Sequence, residues 1–598
     1  MTLQTVPLRF KATVDHFQDR VALRYKQYGL WHDLSWNQYY MQAKFIGSAL
    51  VSMGLEKGQC VSIIGDNCPE WVIADLAIQC VGGVAVGVYS TNAAAQVEYT
   101  VAHSESVFLF AENEEQLDKW LTFRDNIPNL KKVIVWDLEG LRDFEDPLVM
   151  SFDSLMNLGK KVCQEQPDLF EDRLKQVGAE DLSVLIYTSG TTGPPKGAML
   201  THANVTWLAD ALTRANPMSD KDEVMSFLPL CHIFERMFSV FGHVVNGYIV
   251  NFIESPDTIT DNMMEISPTV GYAVPRIWEK YASAIHIKMS DATWFKHRVF
   301  KLAHGIGRKR ASLKMRFKKV PVLLESLYWL AYFAVFRKLK ERLGFDRMRI
   351  AYSGAAPISE EVLLFFQSIG INVIEGYGQT EGSGVTCTSQ AGNVKFGTVG
   401  PPIPGTEVKI AEDGEILVKS PSVFKGYFKN PQATADTIVD GWLHSGDIGE
   451  LDEDGFLKIT DRKKDIIVTA GGKNVTPQYI ENKLKASTYI NDAIVIGDQR
   501  KFLTVLIMID EDTVVKYAQD NKIQFSTYRD LTQAEEIKAL IQKEIDSVNN
   551  TLSRVEQPKK FTILPKKLYV EDGEVTPTMK VKRSFVHKAF SDLIEAMY

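Results

Sequence analysis

Residues 187–197, YTSGTTGPPKG, have the composition of a loop that binds phosphate groups. Hydroxyl, backbone N–H and ammonium groups could donate to phosphate oxygens there, while the glycines allow close approach. The loop is not a Walker A loop, because Pro195 precedes its lysine and Gly197 follows it. A flexible surface turn is the alternative, and it suits an isolated Thr-Ser-Gly better than the whole pattern. The residues expected to contact a nucleotide here are Thr188, Ser189, Gly190, Thr191, Thr192 and Lys196.

Three charged or titratable side chains farther along the chain could take part in chemistry at phosphate. Glu381 ends the motif EGYGQTE, where a carboxylate among hydroxyls is a suitable ligand for a hard cation. Lys580, in TPTMKVKR, could place a positive charge on a flexible stem. For Glu381 or Lys580 considered alone, the simpler interpretation is a solvated side chain without a catalytic role. His232, in LPLCHIFER, lies in an apolar context where a histidine more often belongs to the core.

Taken in order, the motifs resemble those of the adenylate-forming enzymes, which include acyl-CoA synthetases, luciferases and peptide-synthetase adenylation domains. The resemblance rests on YTSGTTGPPKG, SGAAP, EGYGQTE, HSGD, DRKKD and TPTMKVKR, and it covers essentially the whole chain. It implies that further nucleotide-binding residues are Gly354, Ala355, Ala356, Tyr377, Gly378, Gln379, Thr380, Asp447 and Arg462.

The resemblance also implies individual roles. Tyr377 would stack on adenine, Thr380 would meet the phosphate, and Asp447 and Arg462 would contact the ribose hydroxyls. Thr188 and Glu381 would hold Mg²⁺, and His232 would lie beside the acyl carbonyl and the path of the incoming thiol. The implied catalytic residues are Thr188, His232, Glu381 and Lys580, with Lys464 as hinge and Gly471 and Gly472 on the coenzyme A path.

Two segments indicate a branch of this superfamily. Residues 440–464, DGWLHSGDIGELDEDGFLKITDRKK, resemble the fatty acyl-CoA synthetase signature, with Ser445 where threonine is frequent. VPRIWEK, residues 274–280, resembles the linker of long-chain enzymes. The implied reaction is the activation of a medium- to long-chain fatty acid by ATP and Mg²⁺, followed by transfer of the acyl group to coenzyme A.

Two alternatives stay open. An adenylating enzyme on the same fold could load a separate acyl carrier protein instead of coenzyme A. A catalytically silent lipid-binding protein could also share this fold, because a fold does not guarantee an activity.

The pattern of strands and helices predicts how these residues are positioned. Apolar runs that end in glycine-rich turns, CVSIIGDN, VLIYTSG, MRIAYSG and INVIEGYG, predict buried strands whose carboxyl ends open into ligand-binding loops. WNQYYMQAKFIGSALVSMG and EEVLLFFQSIG predict helices, and TPQYIENKLKAS predicts a helix capped by Thr476 with Pro477 at its first position. We expect an α/β fold of layered sheets with a β-rich sub-domain in residues 1–460, and a small mobile α+β domain in residues 461–598.

Composition narrows the class of protein. The chain has 598 residues and a net charge of −8, a balance that argues against a nucleic-acid-binding protein. Its six cysteines are scattered without a CxxC pair, which favours a reducing cytoplasm over a disulfide framework or structural zinc.

Residues 281–343 have the composition of an insertion. The basic stretch GRKRASLKMRFKK precedes an apolar, aromatic run that ends near Phe336 and is too short to span a membrane. Such a sequence suits peripheral contact with an anionic membrane surface. The alternative is a solvated charged helix followed by a helix buried in the core.

Overall fold

Helices and strands alternate through most of the computed structural model, which describes residues 4–188, 194–569, 572–576 and 580–598, with the side chain of residue 290 excepted. The strands are β1 (Val21–Gln27), β2 (Leu30–Ser35), β3 (Cys60–Ile64), β4 (Val84–Val88), β5 (Phe108–Ala111), β6 (Lys132–Val135), β7 (Val149–Ser151), β8 (Leu182–Thr188), β9 (Lys196–Thr201), β10 (Glu223–Ser226), β11 (Ile249–Phe252), β12 (Val270–Ala273), β13 (Ile350–Ser353), β14 (Val373–Tyr377), β15 (Cys387–Thr388), β16 (Glu407–Ile410), β17 (Glu415–Lys419), β18 (Gly426–Tyr427), β19 (Ile438–Val439), β20 (Trp442–Leu451), β21 (Leu457–Arg462), β22 (Ile467–Val468), β23 (Asn474–Val475), β24 (Ile490–Ile496), β25 (Thr504–Ile509) and β26 (Lys560–Ile563).

The α-helices are α1 (Val6–Phe17), α2 (Trp36–Ser52), α3 (Pro69–Cys80), α4 (Ala94–His103), α5 (Glu114–Leu121), α6 (Phe152–Glu165), α7 (Leu169–Lys175), α8 (His202–Ala215), α9 (Ile233–Arg236), α10 (His243–Asn246), α11 (Ile259–Ile266), α12 (Pro275–Ser290), α13 (Trp294–Lys314), α14 (Val322–Ala331), α15 (Arg337–Leu343), α16 (Glu360–Ser368), α17 (Pro431–Thr437), α18 (Pro477–Lys485), α19 (Glu511–Asp520), α20 (Tyr528–Gln533), α21 (Glu535–Asn549), α22 (Arg583–Ala589) and α23 (Ser591–Glu595). Short 3₁₀ segments lie at Arg124–Asn126, Pro256–Thr258 and Thr380–Gly382, and π-helical segments at Met237–Gly242 and Tyr332–Phe336.

The largest sheet has eight strands in the order β18-β9-β8-β4-β3-β5-β6-β7. Its six strands from β8 to the edge strand β7 are parallel. Strands β3, β4 and β5 are buried along their whole length. Strands covered on both faces read as continuous apolar runs, which is why the sequence shows no alternation there.

Three smaller sheets complete the N-terminal region, with strand orders β10-β11-β1-β2, β12-β13-β14-β15 and β16-β17-β20-β19, and with β21 paired to β20. The four apolar runs predicted as buried strands correspond to β3, β8, β13 and β14, and the two helices predicted in this region correspond to α2 and α16. The predicted α/β fold is confirmed.

Local capping interactions agree with the sequence only in part. Ser35 accepts a hydrogen bond from the backbone N–H of Gln38 at the start of α2, and the Gln38 side chain accepts from the Ser35 N–H. Pro477 occupies the first turn of α18 as predicted, but the side chain of Thr476 makes no capping hydrogen bond. Proline with its fixed φ is sufficient to start that helix.

Two regions of the chain form separate hydrophobic cores. The main core takes in side chains from Val6 to Ile459, and a second core begins at Ile467 and contains β24 and β25. This division lies near Asp461, the position predicted for the domain boundary, which stays a prediction. We refer below to the parts before and after it as the N-terminal and C-terminal regions.

The region 281–343 is helical. Helices α13 and α14 pack against each other, and Arg310 on α13 forms two 2.7 Å hydrogen bonds with the Glu325 carboxylate on α14. The solvated charged helix, the first part of the alternative to membrane contact, corresponds to α13, which is largely exposed. The alternative of a buried second helix is wrong, because α14 exposes several large apolar side chains. Among the described residues, every helix is too short or too polar to cross a bilayer.

Candidate active site

A cleft of about 1630 Å³ is lined by residues of both the N-terminal and the C-terminal regions. Strands β8, β13 and β14 end at it with Thr188, Ser353 and Tyr377. Loops beyond the carboxyl ends of parallel strands are the usual ligand sites of α/β sheets. The cleft therefore lies where the sequence predicted that the motifs would meet.

The hairpin formed by β8 and β9 brings the two ends of the first motif together. Thr188 and Lys196 are register partners, and the Thr188 hydroxyl donates to the Lys196 carbonyl over 3.4 Å. The Tyr99 hydroxyl donates to the Pro195 carbonyl over 3.0 Å. Four predicted nucleotide contacts lie outside the described residues: Ser189, Gly190, Thr191 and Thr192.

The SGAAP turn follows β13 and lines the cleft with Gly354, Ala355 and Ala356. Ala355 has a φ of +70°, a left-handed conformation that residues with a Cβ rarely adopt. Strain of this kind persists where the surrounding structure fixes the backbone, often at ligand sites. The turn thus presents backbone groups to the cleft in a conformation that the sequence did not indicate.

Tyr377, Asp447 and Arg462 form a hydrogen-bonded group on the cleft wall. The Tyr377 hydroxyl donates to Oδ2 of Asp447 over 2.8 Å, and Nε of Arg462 lies 3.2 Å from Oδ1 of the same carboxylate. Asp447 and Arg462 are register partners on β20 and β21. Ser445, the departure from the family pattern, accepts a hydrogen bond from the Asp447 backbone N–H over 3.1 Å. The substitution therefore keeps a hydroxyl that orients Asp447.

Between Tyr377 and Glu381 the chain makes a tight turn that lines the cleft through Gly378, Gln379 and Thr380. A Cβ built on Gly378 would lie 1.8 Å from the carbonyl oxygen of Gly384, so that only glycine fits there. The Phe424 backbone N–H donates to the carbonyl of Glu381 over 2.8 Å. These contacts fix the backbone from which the Glu381 carboxylate projects.

Glu381 has a partner that the sequence did not indicate. The Tyr427 hydroxyl donates to Oε1 of Glu381 over 2.6 Å. The ammonium group of Lys196 lies 5.0 Å from the centre of the Tyr427 ring. Burial, followed by the charge of Glu381, raises the pKa of Tyr427, which keeps its hydroxyl protonated as a donor. Tyr427 thus connects the predicted metal ligand to the lysine of the phosphate loop.

Lys580 reaches this group from the C-terminal region. Part of its surface is exposed, but its side chain lies in the cleft between the two regions, where surrounding protein atoms exclude much of the water. Desolvation, followed by the Arg462 guanidinium, lowers the pKa of Lys580 to about 8, against the opposing charges of Asp447 and Glu381. The Lys580 ammonium thus interacts with the charges of Arg462, Asp447 and Glu381, among the residues predicted to bind the nucleotide.

His232 lies on the same cleft and is neutral. Burial, followed by the charge of Lys580, lowers the pKa of His232 to about 4. The Phe234 backbone N–H donates to Nδ1 over 3.1 Å, so that Nδ1 is the acceptor and we assign the ring proton to Nε2. The histidine therefore offers an N–H donor at the cleft and caps the short helix α9.

Helix α9 is held in place by two buried charged residues. The Glu235 carboxylate accepts a 2.6 Å hydrogen bond from the Ser226 hydroxyl and a 2.8 Å hydrogen bond from the Tyr272 hydroxyl. Arg236 forms a fully buried ion pair with Asp75 on α3. Neighbouring residues of the LPLCHIFER motif thus anchor the turn that carries His232.

The residues predicted for the hinge and for the coenzyme A path differ in their positions relative to the cleft. Lys464 lines the cleft. Gly471 and Gly472, which are both described, are exposed in the turn between β22 and β23 and do not line it. Of the residues predicted for nucleotide binding, the structure brings those that it describes together at the cleft, and it leaves the glycine pair outside.

Ion pairs join the two regions beside the cleft. Nη2 of Arg276 on α12 lies 2.9 Å from Oδ2 of Asp510, which precedes α19. Nζ of Lys516 on α19 lies 3.0 Å from Oδ1 of Asp291, at the end of α12. Helix α12 is thus one of the surfaces on which the C-terminal region rests.

The residues that sequence reasoning missed are Tyr427, Asp75, Arg276 and Asp510. Tyr427 lies in FKGYFKN, which has no pattern of its own, and its meeting with Glu381 depends on the pairing of β18 with β9. Arg276 falls within VPRIWEK, but its partner is distant along the chain. The one signal in the sequence that could have indicated the ion pair was the presence of Arg276 in a segment that resembles the family's linker.

Comparisons with known proteins cover the whole chain. The family model described as AMP-binding enzyme matches residues 10–428, and the one described as AMP-binding enzyme C-terminal domain matches residues 464–598. The chain is 35% identical to a long-chain-fatty-acid–CoA ligase of Xenopus laevis over 99% of this chain and 84% of that protein. It is also 35% identical to a long-chain-fatty-acid–CoA ligase of Mycobacterium bovis over 95% of this chain and 93% of that protein.

Solved structures agree in fold. An anthranilate CoA ligase in complex with anthranoyl-AMP superimposes with a TM-score of 0.74 at 18% identity, covering 98% of this chain and 97% of that one. The adenylation domain of a Mycobacterium chelonae carboxylate reductase gives a TM-score of 0.74 at 20% identity, with 100% of this chain and 92% of that one covered. Fold, cleft geometry and both family matches lead to one conclusion: the chain belongs to the AMP-binding, adenylate-forming enzyme family.

Proposed function

We propose that this protein is an ATP-dependent long-chain fatty acid–CoA ligase. The observation that carries the proposal is the meeting of Lys580 from the C-terminal region with Glu381, Asp447 and Arg462 from the N-terminal region in one cleft. The relatives with 35% identity, whose names state this activity, support it.

In the first step a fatty acid carboxylate oxygen attacks the α-phosphorus of ATP, the bond to the bridging oxygen breaks, and pyrophosphate leaves. Asp447 accepts from the ribose hydroxyls while Tyr377 and Arg462 keep its carboxylate oriented. Lys580 offsets the negative charge that develops at phosphate, an electrostatic effect that a preorganised cation supplies well. The product of this step is an acyl-adenylate.

The residues present fit a magnesium ion at Glu381 and Thr188. The hydrogen bond from Tyr427 engages Oε1 of Glu381, and the other carboxylate oxygen and the Thr188 hydroxyl are hard oxygen donors of the kind Mg²⁺ prefers. Mg²⁺, when bound there, would shield the phosphate charges.

Tyr427→Phe should raise the Mg²⁺ concentration needed for half-maximal rate and leave the Km for the fatty acid unchanged. Tyr99→Phe, a hydroxyl removed beside the same loop but away from Glu381, is the matched control.

The acyl chain would occupy the apolar part of the cleft. Its wall there includes Leu212, Phe234, Met237, Phe238 and Val385. Burial of a hydrocarbon chain stabilises the complex by roughly 0.8 kcal/mol per methylene group. Such a wall favours fatty acids over small polar acids.

In the second step the coenzyme A sulfur attacks the acyl carbonyl carbon, the carbon–oxygen bond to AMP breaks, and the thiol proton passes to solvent. We propose that the C-terminal region turns about Lys464 before this step, withdraws Lys580, and brings Gly471 and Gly472 to the cleft. The exposed position of the glycine pair is the expected starting point of that movement. His232, with a proton on Nε2, could donate to the acyl carbonyl oxygen.

The test is AMP formation from ATP and Mg²⁺ with saturated acids from acetate to stearate, with and without coenzyme A. Release of AMP that rises toward the longer acids and requires coenzyme A supports the proposal. Pyrophosphate exchange without turnover on coenzyme A, but with transfer to a holo-carrier protein, would favour the carrier-loading alternative. Tight acyl binding without AMP would favour a silent lipid-binding protein.

The proposal includes peripheral contact with a membrane through residues 281–343, because a long-chain fatty acid partitions into bilayers. Helix α13, on which α14 packs, adjoins the cleft through α16: Arg308 on α13 pairs with Glu361 on α16, at 2.7 Å, and Glu361 lines the cleft. Flotation of the protein with anionic liposomes at low salt tests this contact, and failure to float would contradict it.

A further inference from the structure

Helix α4 contacts both ends of residues 187–197, the predicted phosphate loop. Tyr99 and His103 lie four residues apart on α4 and so share one face of it, with their rings stacked at a centroid distance of 5.4 Å. The Tyr99 hydroxyl donates to the Pro195 carbonyl over 3.0 Å. Nδ1 of His103 lies 2.8 Å from the hydroxyl oxygen of Tyr187. One face of this helix therefore holds the loop at its first residue and near its last.

The side chain of Tyr187 has little freedom to move. It is 7% exposed and belongs to a small apolar cluster with Leu185. A Cβ built on Gly197 would lie 3.3 Å from Cζ of Tyr187, closer than carbon atoms usually pack, so the glycine leaves room for the ring. Burial raises the pKa of Tyr187, so that its hydroxyl stays protonated and can share a hydrogen bond with either tautomer of His103. Because Tyr187 directly precedes Thr188, this hydrogen bond acts on the beginning of the loop.

The backbone of His103 is joined to the strand that carries Tyr427. Nζ of Lys429, two residues after that tyrosine, donates to the His103 carbonyl over 3.0 Å and lies 2.9 Å from Oε1 of Glu105. His103 is the last residue of α4. Carbonyls in the last turn of a helix have no partner within it, and a cation there is favourable. His103 thus connects the phosphate loop to β18, whose Tyr427 binds the predicted metal ligand.

Packing alone does not account for a histidine at this position. The half-buried ring lies among three aromatic side chains, those of Tyr99, Tyr187 and Phe428. Phenylalanine would fill such a site equally well. Desolvation, followed by the charge of Lys429, lowers the pKa of His103 against the opposing charge of Glu105, so the imidazole is neutral at neutral pH. What the imidazole adds to the packing is its hydrogen bond to Tyr187.

We infer that His103 is a positioning residue for ATP, which holds the beginning of the phosphate loop through Tyr187 and joins that loop to the strand of Tyr427. Tyr187 lines the cleft and His103 does not, so the histidine acts through the tyrosine. A loop that is held in place beforehand costs less to order when its ligand binds. The inference rests on the proposed function only in taking ATP as the ligand.

The experiment measures the dissociation constant of MgATP by titration calorimetry on the full-length protein without fatty acid. His103→Phe keeps an aromatic ring and removes Nδ1, and it should raise the constant about fivefold, the size expected for one lost hydrogen bond. His103→Asn keeps a polar atom near the place of Nδ1 and should change the constant by less than about twofold. The matched control is His32→Phe, which should change nothing, because His32 stacks on Tyr25 at a similar distance, 5.2 Å, away from the cleft.

A double-mutant cycle separates positioning from a general structural role. Tyr187→Phe should weaken MgATP binding by about the same factor as His103→Phe, and the double variant should bind no more weakly than either single variant, because both changes remove the same hydrogen bond. The urea midpoint shows whether each variant is folded. Should His103→Phe unfold, Lys429→Met, a change at an exposed side chain, tests the second contact and should raise the dissociation constant about twofold.

Unchanged MgATP binding in folded His103→Phe, or factors that multiply in the double variant, would overturn the inference and leave the proposed function standing if AMP still forms. An equal loss in His32→Phe would also overturn it, since the effect would then not depend on the phosphate loop. Weaker MgATP binding in His103→Phe, in a protein that forms no AMP with any acid, would leave the inference intact and refute the proposed function instead.

Discussion

The pH dependence of adenylation should be governed by Lys580. The charged ammonium is the form that offsets developing negative charge, and its pKa of about 8 lies well below that of an ordinary lysine. The group is therefore charged below pH 8 and loses its charge as pH rises through that value. With a pKa of about 8, the protonated fraction falls from about nine-tenths at pH 7 to about one-tenth at pH 9.

The rate of ATP–pyrophosphate exchange should accordingly fall about tenfold between pH 7 and pH 9, whereas an ordinary lysine would lose only a few per cent of its charge. Lys580→Ala should lower exchange by about 10²- to 10³-fold, the effect of removing one preorganised group at a developing charge. Lys580→Arg should keep part of the activity and lose the decline above pH 8, because arginine stays charged.

Two further measurements isolate the cause. Thioester formation from supplied acyl-adenylate and coenzyme A should be nearly unaffected in Lys580→Ala, because the lysine acts in the first step only. Arg462→Gln should shift the decline to higher pH, because the Arg462 guanidinium lowers the pKa of Lys580. Equal losses in both half-reactions, or a decline that survives in Lys580→Arg, would refute the reasoning.

Two other predictions concern ion pairs. Arg276→Asp or Asp510→Arg alone should lower the rate of ATP–pyrophosphate exchange by no more than about fivefold, which is the value of a partly exposed ion pair. The double reversal should restore the exchange rate. If it does not, the pair does not hold the two regions together. Asp75→Asn should lower the free energy of unfolding by about 3–5 kcal/mol, because it leaves Arg236 buried without its partner. The urea midpoint measures this, with Asp220→Asn at the surface as a control that should change little, and an equal change in both variants would contradict the argument.

The sequence alone was sufficient for the motifs and for the strands that carry them. The apolar residues VLIY at 184–187 and VI at 373–374 precede glycine-containing turns, and they lie in β8 and β14. These patterns are short-range, because burial on both faces of a sheet and a tight turn at its end each require particular residue types in sequence. The ordered motifs likewise indicated which side chains would meet in the cleft.

Contacts between residues that are far apart along the chain could be established only from the tertiary structure. The contact of Tyr427 with Glu381 follows from strand pairing, and that of Arg276 with Asp510 follows from the packing of the two regions, so that neither leaves a local pattern. Helix α14 is the clearest case, because its apolar composition fits a core helix as well as a surface helix. Only the packing of Tyr328 and Phe336 against their neighbours determines which face is buried and which faces solvent.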